Sequence, residues 1–241
     1  LVGSEMCIRD KIDHAWGYEP CTIAQIRAYK PQSSSLGCGQ VLPCPYTADK
    51  ARIVVQEMID GISLELVEKR LVTDQLVLTV GYDIENLTRP EIRKVYKGPV
   101  TTDRYGRRVP KHAHGTWNLP RATSSSSELL EAMAALYDKI VNPALLIRRM
   151  SLSACHVVNE KMAKEREQKE TFEQLDLFTD YAKKEAKEKE EQKKRERERR
   201  MQEALLTIKK KYGKNAVLRG MNFEEGATAK ERNGQIGGHQ A

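Results

Sequence analysis

The composition of residues 160–200 limits how much of this chain can fold around a core. The tract consists mostly of Lys, Arg, Glu and Gln. A segment with so few apolar positions cannot bury enough surface to offset the entropy that it loses on ordering. The chain has 241 residues, of which 39% are hydrophobic and 31% charged, and its shortage of apolar residues is concentrated here. We therefore predict one folded domain before the tract, over residues 36–158.

Apolar spacing inside that domain predicts strands and helices in alternation. Leu76, Leu78 and Val80 alternate with Val77 and Thr79, as in a strand that is covered on at least one face. Apolar residues three and four apart mark two helices, the first with Ala51, Val55, Met58, Ile62 and Leu66, the second with Leu129, Met133, Leu136 and Ile140.

The ends of these elements carry turn and cap signals. Thr47 is placed as the N-cap of the first helix, and Ser125 with Glu128 fits a capping box for the second. Residues 88–110 follow neither period and are rich in turn-forming residues, which predicts a loop. The predicted strands cover residues 39–46, 75–84, 111–119 and 145–158.

The predicted order is therefore β-α-β-β-α-β. This order is typical of an α+β, ferredoxin-like domain, in which an antiparallel sheet carries two helices on one face. The other face of the sheet is expected to be free. Because this fold serves many functions, the function has to come from residues on that surface.

Basic residues are concentrated at one part of the predicted domain. Between Arg89 and Arg121 the sequence holds nine Lys and Arg residues and only two acidic ones, and the whole chain has a net charge of +7 and a pI near 9.1. Such a region beside an open sheet face favours contacts with the phosphates of a polyanion, although an ordinary exposed loop would look similar. The candidate phosphate-binding residues are Arg104, Arg107, Arg108, Lys111, His112, His114, Arg121, Arg148 and Arg149.

No residue pattern indicates catalysis or metal binding. His112 and His114 share a strand face, but no further ligands accompany them, and the five cysteines form no CxxC pair. Phosphate-binding glycine loops and nucleophile elbows are also missing. No apolar run approaches the length of a membrane span. We therefore expect a cytoplasmic chain with reduced thiols and no catalytic site, metal site or cofactor of its own.

A short apolar cluster interrupts the charged tract. Gln174, Leu175, Asp176, Leu177 and Phe178 read QLDLF, within residues 159–182 that we expect to be disordered. Three apolar side chains with no core nearby are typical of a peptide that docks in a groove on another protein. The alternatives are a chance cluster and a staple for the helix that follows.

The remaining segments are predicted from composition. Residues 183–213 are strongly helix-forming and end at Gly213, so they predict a charged helix that serves as a spacer or is simply solvated. Residues 214–241 are expected to be a mobile tail or a short docking segment. Residues 1–10 have no structural period and look like linker sequence, and residues 11–35 contain one short helix before a soft linker.

Several stretches resemble Y-family translesion DNA polymerases of the ImpB/MucB/SamB, UmuC-like type from Gram-positive bacteria. GQVLPCPY at 39–46, LVTDQLVLTVGYDIE at 71–85, VTTDRYGRRVPKHAHGT at 100–116 and LLIRRMSLSACHVV at 145–158 look like their little-finger domain. DHAWGYEPCTI at 13–23 looks like the segment that leaves the thumb. QLDLF is similar to the pentapeptide that binds the sliding clamp, and residues 211–241 look like the tail of these polymerases.

The resemblance implies a role in DNA repair and the SOS response. A little finger grips the template–primer duplex through its backbone, and clamp binding raises the local concentration of a weakly processive, error-prone polymerase. The palm carboxylates that hold Mg²⁺ in this family have no counterpart here, so the chain is expected to be an inactive C-terminal fragment that binds and positions DNA. The alternatives are a free-standing clamp- or nucleic-acid-binding adaptor without polymerase activity and an RNA-binding module.

Overall fold

The computed structural model describes residues 12, 15–18, 21–29, 34–103, 105–163, 165, 181–236, 239 and 240. The chain divides into two compact units, Leu1–Ser33 and Ser34–Ala241. In the first unit, helix α1 spans Ile23–Ala28. The hydroxyl of Thr22 accepts a hydrogen bond from the N–H of Gln25, and the Gln25 side chain accepts one from the N–H of Thr22, so this short helix begins at a complete capping box.

The second unit contains the predicted α+β domain, and the β-α-β-β-α-β order of its main elements is confirmed. Short elements are added between the second and third main strands and after the last one. In chain order the elements are β1 Leu36–Tyr46, α2 Ala48–Lys69, β2 Leu71–Tyr82, α3 Glu85–Thr88, α4 Pro90–Val95, β3 Val100–Thr102, β4 Arg108–Pro110, β5 Ala113–Thr123, α5 Ser126–Ile140, β6 Ile147–Cys155, β7 Val158–Asn159, α6 Tyr181–Tyr212, a 3₁₀ turn Gly220–Phe223, α7 Ala229–Arg232, β8 Gln235–Ile236 and β9 His239–Gln240.

The main sheet has the strand order β1-β6-β2-β5, and β7 also pairs with β2. Each neighbouring pair is antiparallel. Strands β1 and β2 therefore run parallel with β6 between them, and β5 and β6 run parallel with β2 between them. Each strand–helix–strand crossover skips one strand, so both β-α-β units are split.

The core lies between one face of this sheet and helices α2 and α5. The five apolar residues that predicted α2 are all buried, as are Leu129, Met133 and Leu136 of α5. They pack against Leu76 and Leu78 of β2, which are fully buried. One face of the sheet is thus used for the core, as the alternating pattern of β2 predicted.

The segment predicted as a loop, residues 88–110, contains helix α4 and the β3–β4 hairpin, and helix α3 ends at its first residue. The buried side chain of Asn86 in α3 fixes the start of this region: its Nδ2 donates to the carbonyls of Asp83 and Leu146, both at 2.8 Å, and its Oδ1 accepts from the N–H of Leu146 at 2.7 Å. A single amide therefore supplies the hydrogen bonds that a buried loop backbone needs. Spacing of apolar residues gives no signal for such an anchor.

Helix α6 docks against the domain through polar side chains. Gln202 is 1% exposed, and its Nε2 donates to the carbonyl of Ser124 at 3.0 Å and to the hydroxyl of Ser126 at 2.8 Å. The Glu198 carboxylate accepts from the N–H of Ser127 at 2.8 Å and from its hydroxyl at 2.9 Å. The C-terminal half of the charged helix is therefore bound to the start of α5 and is neither a spacer nor fully solvated.

The C-terminal tail docks on α2, which is the second of the two predicted alternatives. The carboxylate of Glu57, buried within α2, accepts from the N–H groups of Thr228 and Ala229 at 2.8 and 3.0 Å and from the Asn222 side chain at 2.8 Å. Arg219 lies 2.7 Å from Asp60, whose carboxyl pKa is raised by burial. The tail thus supplies the partners of two carboxylates that lie on one helix.

Candidate nucleic-acid interface

The sheet face that turns away from α2 and α5 is made of residues with short or polar side chains. Strand register aligns them in rows across the sheet. One row runs from Gly39 through Ser151 and Thr79 to His114, and the next from Gly37 through Ser153 and Val77 to Thr116. We call this surface the open face; its members are Gly37, Gly39, Val41, Gln75, Val77, Thr79, Gly81, His114, Thr116, Asn118, Arg149, Ser151, Ser153 and Cys155.

The direction of the open face is fixed by a glycine on the opposite side. A Cβ built on Gly115 would lie 2.8 Å from Ile140 and 2.9 Å from Leu136 of α5. Gly115 therefore points into the core, and its neighbours His114 and Thr116 point away from it, because successive strand residues alternate in direction. Both neighbours are exposed.

The open face carries positive charge and no carboxylate. Arg149 is its one permanently charged residue, and its other members are uncharged or are histidine. The nearest acidic residue in sequence, Asp74, lies at the start of β2 and pairs with His156 at 2.9 Å. A polyanion lying on the open face would therefore meet hydrogen-bond donors and an arginine, with no carboxylate to repel it.

His114 is held in place on the open face. Its Nδ1 lies 2.9 Å from the hydroxyl of Thr79 on the neighbouring strand. Thr79 and His114 are directly opposite in the β2–β5 register, where cross-strand side chains are close enough to bond. The contact leaves the other ring nitrogen, Nε2, available to a ligand above the sheet.

A cluster of cationic residues lies where β4 meets β5. Arg108, Lys111 and His112 are all exposed, and no ion pair or side-chain hydrogen bond is formed by any of them within the described part of the chain. The backbone of Lys111 is fixed, since its N–H donates to the carbonyl of Pro99 at 2.8 Å. We call these three residues the basic cluster. It is continuous with the β5 end of the open face, which begins at His114.

Arg107 is engaged within the β3–β4 hairpin. Its guanidinium lies 2.8 Å from Asp103, and its guanidinium carbon lies 5.1 Å from the centre of the Tyr105 ring. The backbone N–H of Arg107, followed by its side chain and the N–H of Tyr105, holds the pKa of the Asp103 carboxyl below its usual range. The hairpin turn is thus closed around Asp103, and Arg107 is already partly neutralised before any ligand binds.

The other candidate arginines lie apart from the basic cluster. Arg121 pairs with Glu128 at the start of α5. Arg148 donates to the carbonyl of Pro43 at 3.0 Å and lies 3.7 Å from Asp83. Arg104 lies outside the described residues. Of the nine candidate residues, the structure places Arg108, Lys111, His112, His114 and Arg149 on the open face or in the basic cluster next to it.

The predicted docking peptide, Gln174 to Phe178, lies outside the described residues. Helix α6 begins three residues after this peptide, at Tyr181. Among the residues that are described, no group of His, Cys, Asp and Glu could hold a metal ion. Within the same residues, no helix is both long enough and apolar enough to cross a membrane.

Comparison with known proteins finds likeness among solved structures alone. No family model matches the chain, and no curated protein matches it. Among solved structures, a chain from a "Complex of beta-clamp processivity factor and little finger domain of PolIV" is similar with a TM-score of 0.34 and 9% sequence identity, over 61% of this chain and 100% of that one. A likeness this low carries no functional inference.

The sequence identified the basic residues but not the small, uncharged residues of the open face. Gly37, Gly39, Ser151 and Ser153 lie opposite one another on β1 and β6. The signal was present in the sequence as small residues at every second position of these strands. In a single strand, this pattern of small residues indicates only a weak strand propensity. That the residues form one surface is evident only when the register of the strands is known.

Proposed function

We propose that the second unit binds the phosphate backbone of duplex DNA through the open face and the basic cluster. The observation that carries the proposal is the composition of the open face, which joins an arginine and a fixed histidine to short uncharged side chains and holds no carboxylate. Short side chains let the ligand approach the sheet closely, and backbone contacts of this kind bind without reading sequence.

The dimensions of the open face suit several phosphates. Four strands about 4.8 Å apart give a surface roughly 14 Å wide, and a strand rises about 3.3 Å per residue along its length. Phosphates of one DNA strand are spaced by about 3.4 Å along the helix axis. Only every second residue of a strand points to the open face, so a surface of this size would meet a few phosphates of a bound duplex.

A duplex fits the open face better than single-stranded RNA does. Recognition of single strands relies on aromatic side chains on which bases stack. The open face has no Phe, Tyr or Trp. This absence disfavours the RNA-binding alternative and favours recognition through the backbone.

We further propose that residues 174–178 bind a sliding clamp and so hold the DNA-binding unit at a primer end. Support comes from the sequence, in which Leu175, Leu177 and Phe178 lie within a tract made mostly of charged and polar residues. Together the two activities fit the C-terminal part of a translesion polymerase whose palm, with its Mg²⁺, lies in another part of the protein. A clamp-binding adaptor without polymerase activity would use the same two surfaces.

The test of the DNA proposal places a negative charge on either side of the domain. Ser151→Glu adds a carboxylate at the middle of the open face, and Gly61→Glu adds one on the exposed side of α2, where a Cβ meets no atom within 4 Å. We expect Ser151→Glu to weaken binding of a labelled primer–template duplex by about tenfold or more at ~0.1 M salt, and Gly61→Glu by less than about twofold. Equal effects of the two variants would contradict the proposal.

The clamp proposal has a separate test. Replacing Leu177 and Phe178 with Ala should abolish capture of the chain by an immobilised sliding clamp, because most of the apolar surface of the peptide is removed. Duplex binding by the same variant should be unchanged, since the open face is untouched. Retention of the double variant by the clamp would refute the assignment of the motif.

A further inference from the structure

Gly81 occupies a position on the open face that is covered by another residue of that face. It lies on β2 opposite Arg149 of β6. Gly81 is buried, whereas Gly37 and Gly39, which lie on the same face on β1, are exposed. A glycine on a solvent-facing surface is buried only if a neighbouring side chain lies over it.

The side chain that covers Gly81 is Arg149. A Cβ built on Gly81 would lie 2.5 Å from Cγ, 2.6 Å from Nε and 3.1 Å from Cδ of Arg149. The arginine stem therefore lies flat on the Cα of Gly81, in the space that any other residue type would fill. The backbone conformation of Gly81 does not itself require a glycine, because its φ is not positive.

The direction of the stem is set by the order of the strands. Strand β2 separates β6 from β5. Val80 lies opposite Ala113, so the next residue along β2 lies level with His112. An Arg149 side chain that crosses β2 at Gly81 is therefore directed towards the basic cluster, and it has no ion pair or side-chain hydrogen bond among the described residues that would turn it elsewhere.

We propose that Gly81 is a positioning residue for the DNA-binding surface: by lacking a side chain, it lets Arg149 lie across β2 and join Arg108, Lys111 and His112 as one phosphate-binding group. The inference rests on the proposed function and adds to it the residue that arranges Arg149, the one permanently charged residue of the open face. No ion pair or side-chain hydrogen bond among the described residues fixes the guanidinium, so its position depends on the space above Gly81.

A side chain at position 81 would displace Arg149 without disturbing the core. The atoms that it would meet belong to one flexible surface side chain, which can change rotamer at little cost. The variant is therefore expected to fold normally and to lose one phosphate contact. This separates a positioning role from a structural role, in which stability would fall together with binding.

The experiment measures binding of a labelled primer–template duplex over a series of salt concentrations. The full-chain variants are alanine substitutions at positions 81 and 149, singly and together, at positions 108 and 111, and at one control position. Gly81→Ala and Arg149→Ala are each expected to weaken binding by about five- to tenfold at ~0.1 M salt and to lower the salt slope by about one. Gly61→Ala, on the exposed side of α2 and away from the open face, is the control, since its Cβ would meet no atom within 4 Å, and it should bind like the unmodified chain. In the Arg149→Ala background, Gly81→Ala should have no further effect.

Four outcomes would overturn the inference. If Gly81→Ala binds as the unmodified chain does, the glycine positions nothing. If Gly81→Ala weakens binding further in the Arg149→Ala background, or lowers the melting temperature of the chain, its effect is structural. If Arg149→Ala is silent while Arg108→Ala and Lys111→Ala weaken binding, the inference fails and the proposed function survives. If all three lysine and arginine variants are silent, the proposed function fails as well.

Discussion

Gly115 shows how a single missing side chain lets a helix pack on the sheet. Its Cα lies beneath α5, and an added Cβ would lie 2.8 Å from Cγ2 of Ile140 and 2.9 Å from Cδ1 of Leu136. Both neighbours belong to the helix that closes the core on this side, and Leu136 is 1% exposed. The close approach of β5 and α5 therefore requires glycine at this position.

We predict that Gly115→Ala destabilises the domain by about 1–3 kcal/mol, because an extra methyl group in a filled core forces its neighbours out of their rotamers. Gly39→Ala, on the exposed side of the sheet, is the matched control and should change the free energy of unfolding by less than about 0.5 kcal/mol. Urea unfolding followed by circular dichroism measures both. A loss of the same size in the two variants would contradict the packing argument.

At the residue scale, the sequence predicted the chemistry of individual positions better than their surroundings. It identified Arg108, Lys111 and His112 as cations of one segment, and the structure leaves all three exposed, without an ion pair among the described residues. It could not distinguish them from Arg121, which pairs with Glu128, or from Arg148, which lies near Asp83. Whether a cation is available to a ligand depends on a partner that is distant in sequence.

At the element scale, α6 illustrates a helix that is held by hydrogen bonds more than by apolar burial. Arg199 donates to the hydroxyl of Ser124 at 3.0 Å and lies 3.2 Å from Glu160, and the neighbouring Gln202 is fully buried. Buried polar groups stabilise a contact only when all of them are paired. The position of this helix should therefore be sensitive to the loss of any one of these groups.

We predict that Gln202→Ala weakens the docking of α6 and lowers the free energy of unfolding by about 1–3 kcal/mol, because it leaves a buried carbonyl and a buried hydroxyl without their donor. Gln192→Ala, ten residues earlier on the same helix and exposed, is the matched control. Amide hydrogen exchange along residues 196–209 should rise in the first variant alone. Unchanged protection of these amides would show that the docking does not depend on Gln202.

The stability of the β3–β4 hairpin is expected to depend on pH through the carboxyl group of Asp103. Its carboxyl pKa is lowered in the folded chain, chiefly by the backbone N–H of Arg107, so the ionised form is the one that the hairpin stabilises. This contribution is complete above the ordinary pKa of aspartate and is lost as the pH falls through the lowered value. Arg107→Ala keeps the backbone N–H, so the pKa should rise only part of the way to its usual range.

Carbon-13 NMR of the Asp103 carboxyl measures this pKa directly. The folded chain should titrate below an aspartate in a model peptide, and Arg107→Ala should titrate between the two. A full return to the usual range in Arg107→Ala would show that the guanidinium, and not the backbone, is the main cause.

The main elements of the domain were predictable because their apolar residues repeat with the period of a helix or a strand. The stripe from Ala51 to Leu66 predicted α2, and the alternation from Leu76 to Val80 predicted β2. The β3–β4 hairpin and helices α3 and α4 have too few residues to show a period. Helix α6 docks through polar side chains, and a periodic pattern of apolar residues does not predict such contacts.

At the scale of the whole molecule, α2 joins the core to the C-terminal tail. Its apolar face packs on the sheet, while Glu57 and Asp60 receive groups from residues 219–229. Lys50 and Glu225 add an ion pair at 2.6 Å near the start of the helix. The tail therefore forms part of the folded unit, although its composition resembles that of a flexible end.

We predict that Glu57→Ala releases the tail without unfolding the domain, because the N–H groups of Thr228 and Ala229 and the Asn222 side chain lose their acceptor. Hydrogen exchange at Thr228 and Ala229 should become fast while β2 stays protected. Glu65→Ala is the control on the same helix, since within the described ranges Glu65 pairs only with Lys69, one turn away. Protection of Thr228 that survives in Glu57→Ala would contradict this role for the carboxylate.

The most direct test of the account asks which side of the sheet meets DNA. A photoreactive amino acid is placed at Thr116, which is exposed on the open face, or at Glu131, which is exposed on the far side of α5. The full chain is then irradiated with a labelled primer–template duplex. Cross-linking from position 116 and none from position 131 is the predicted result. Cross-linking from position 131 without any from position 116 would contradict the assignment of the open face as the DNA-binding surface.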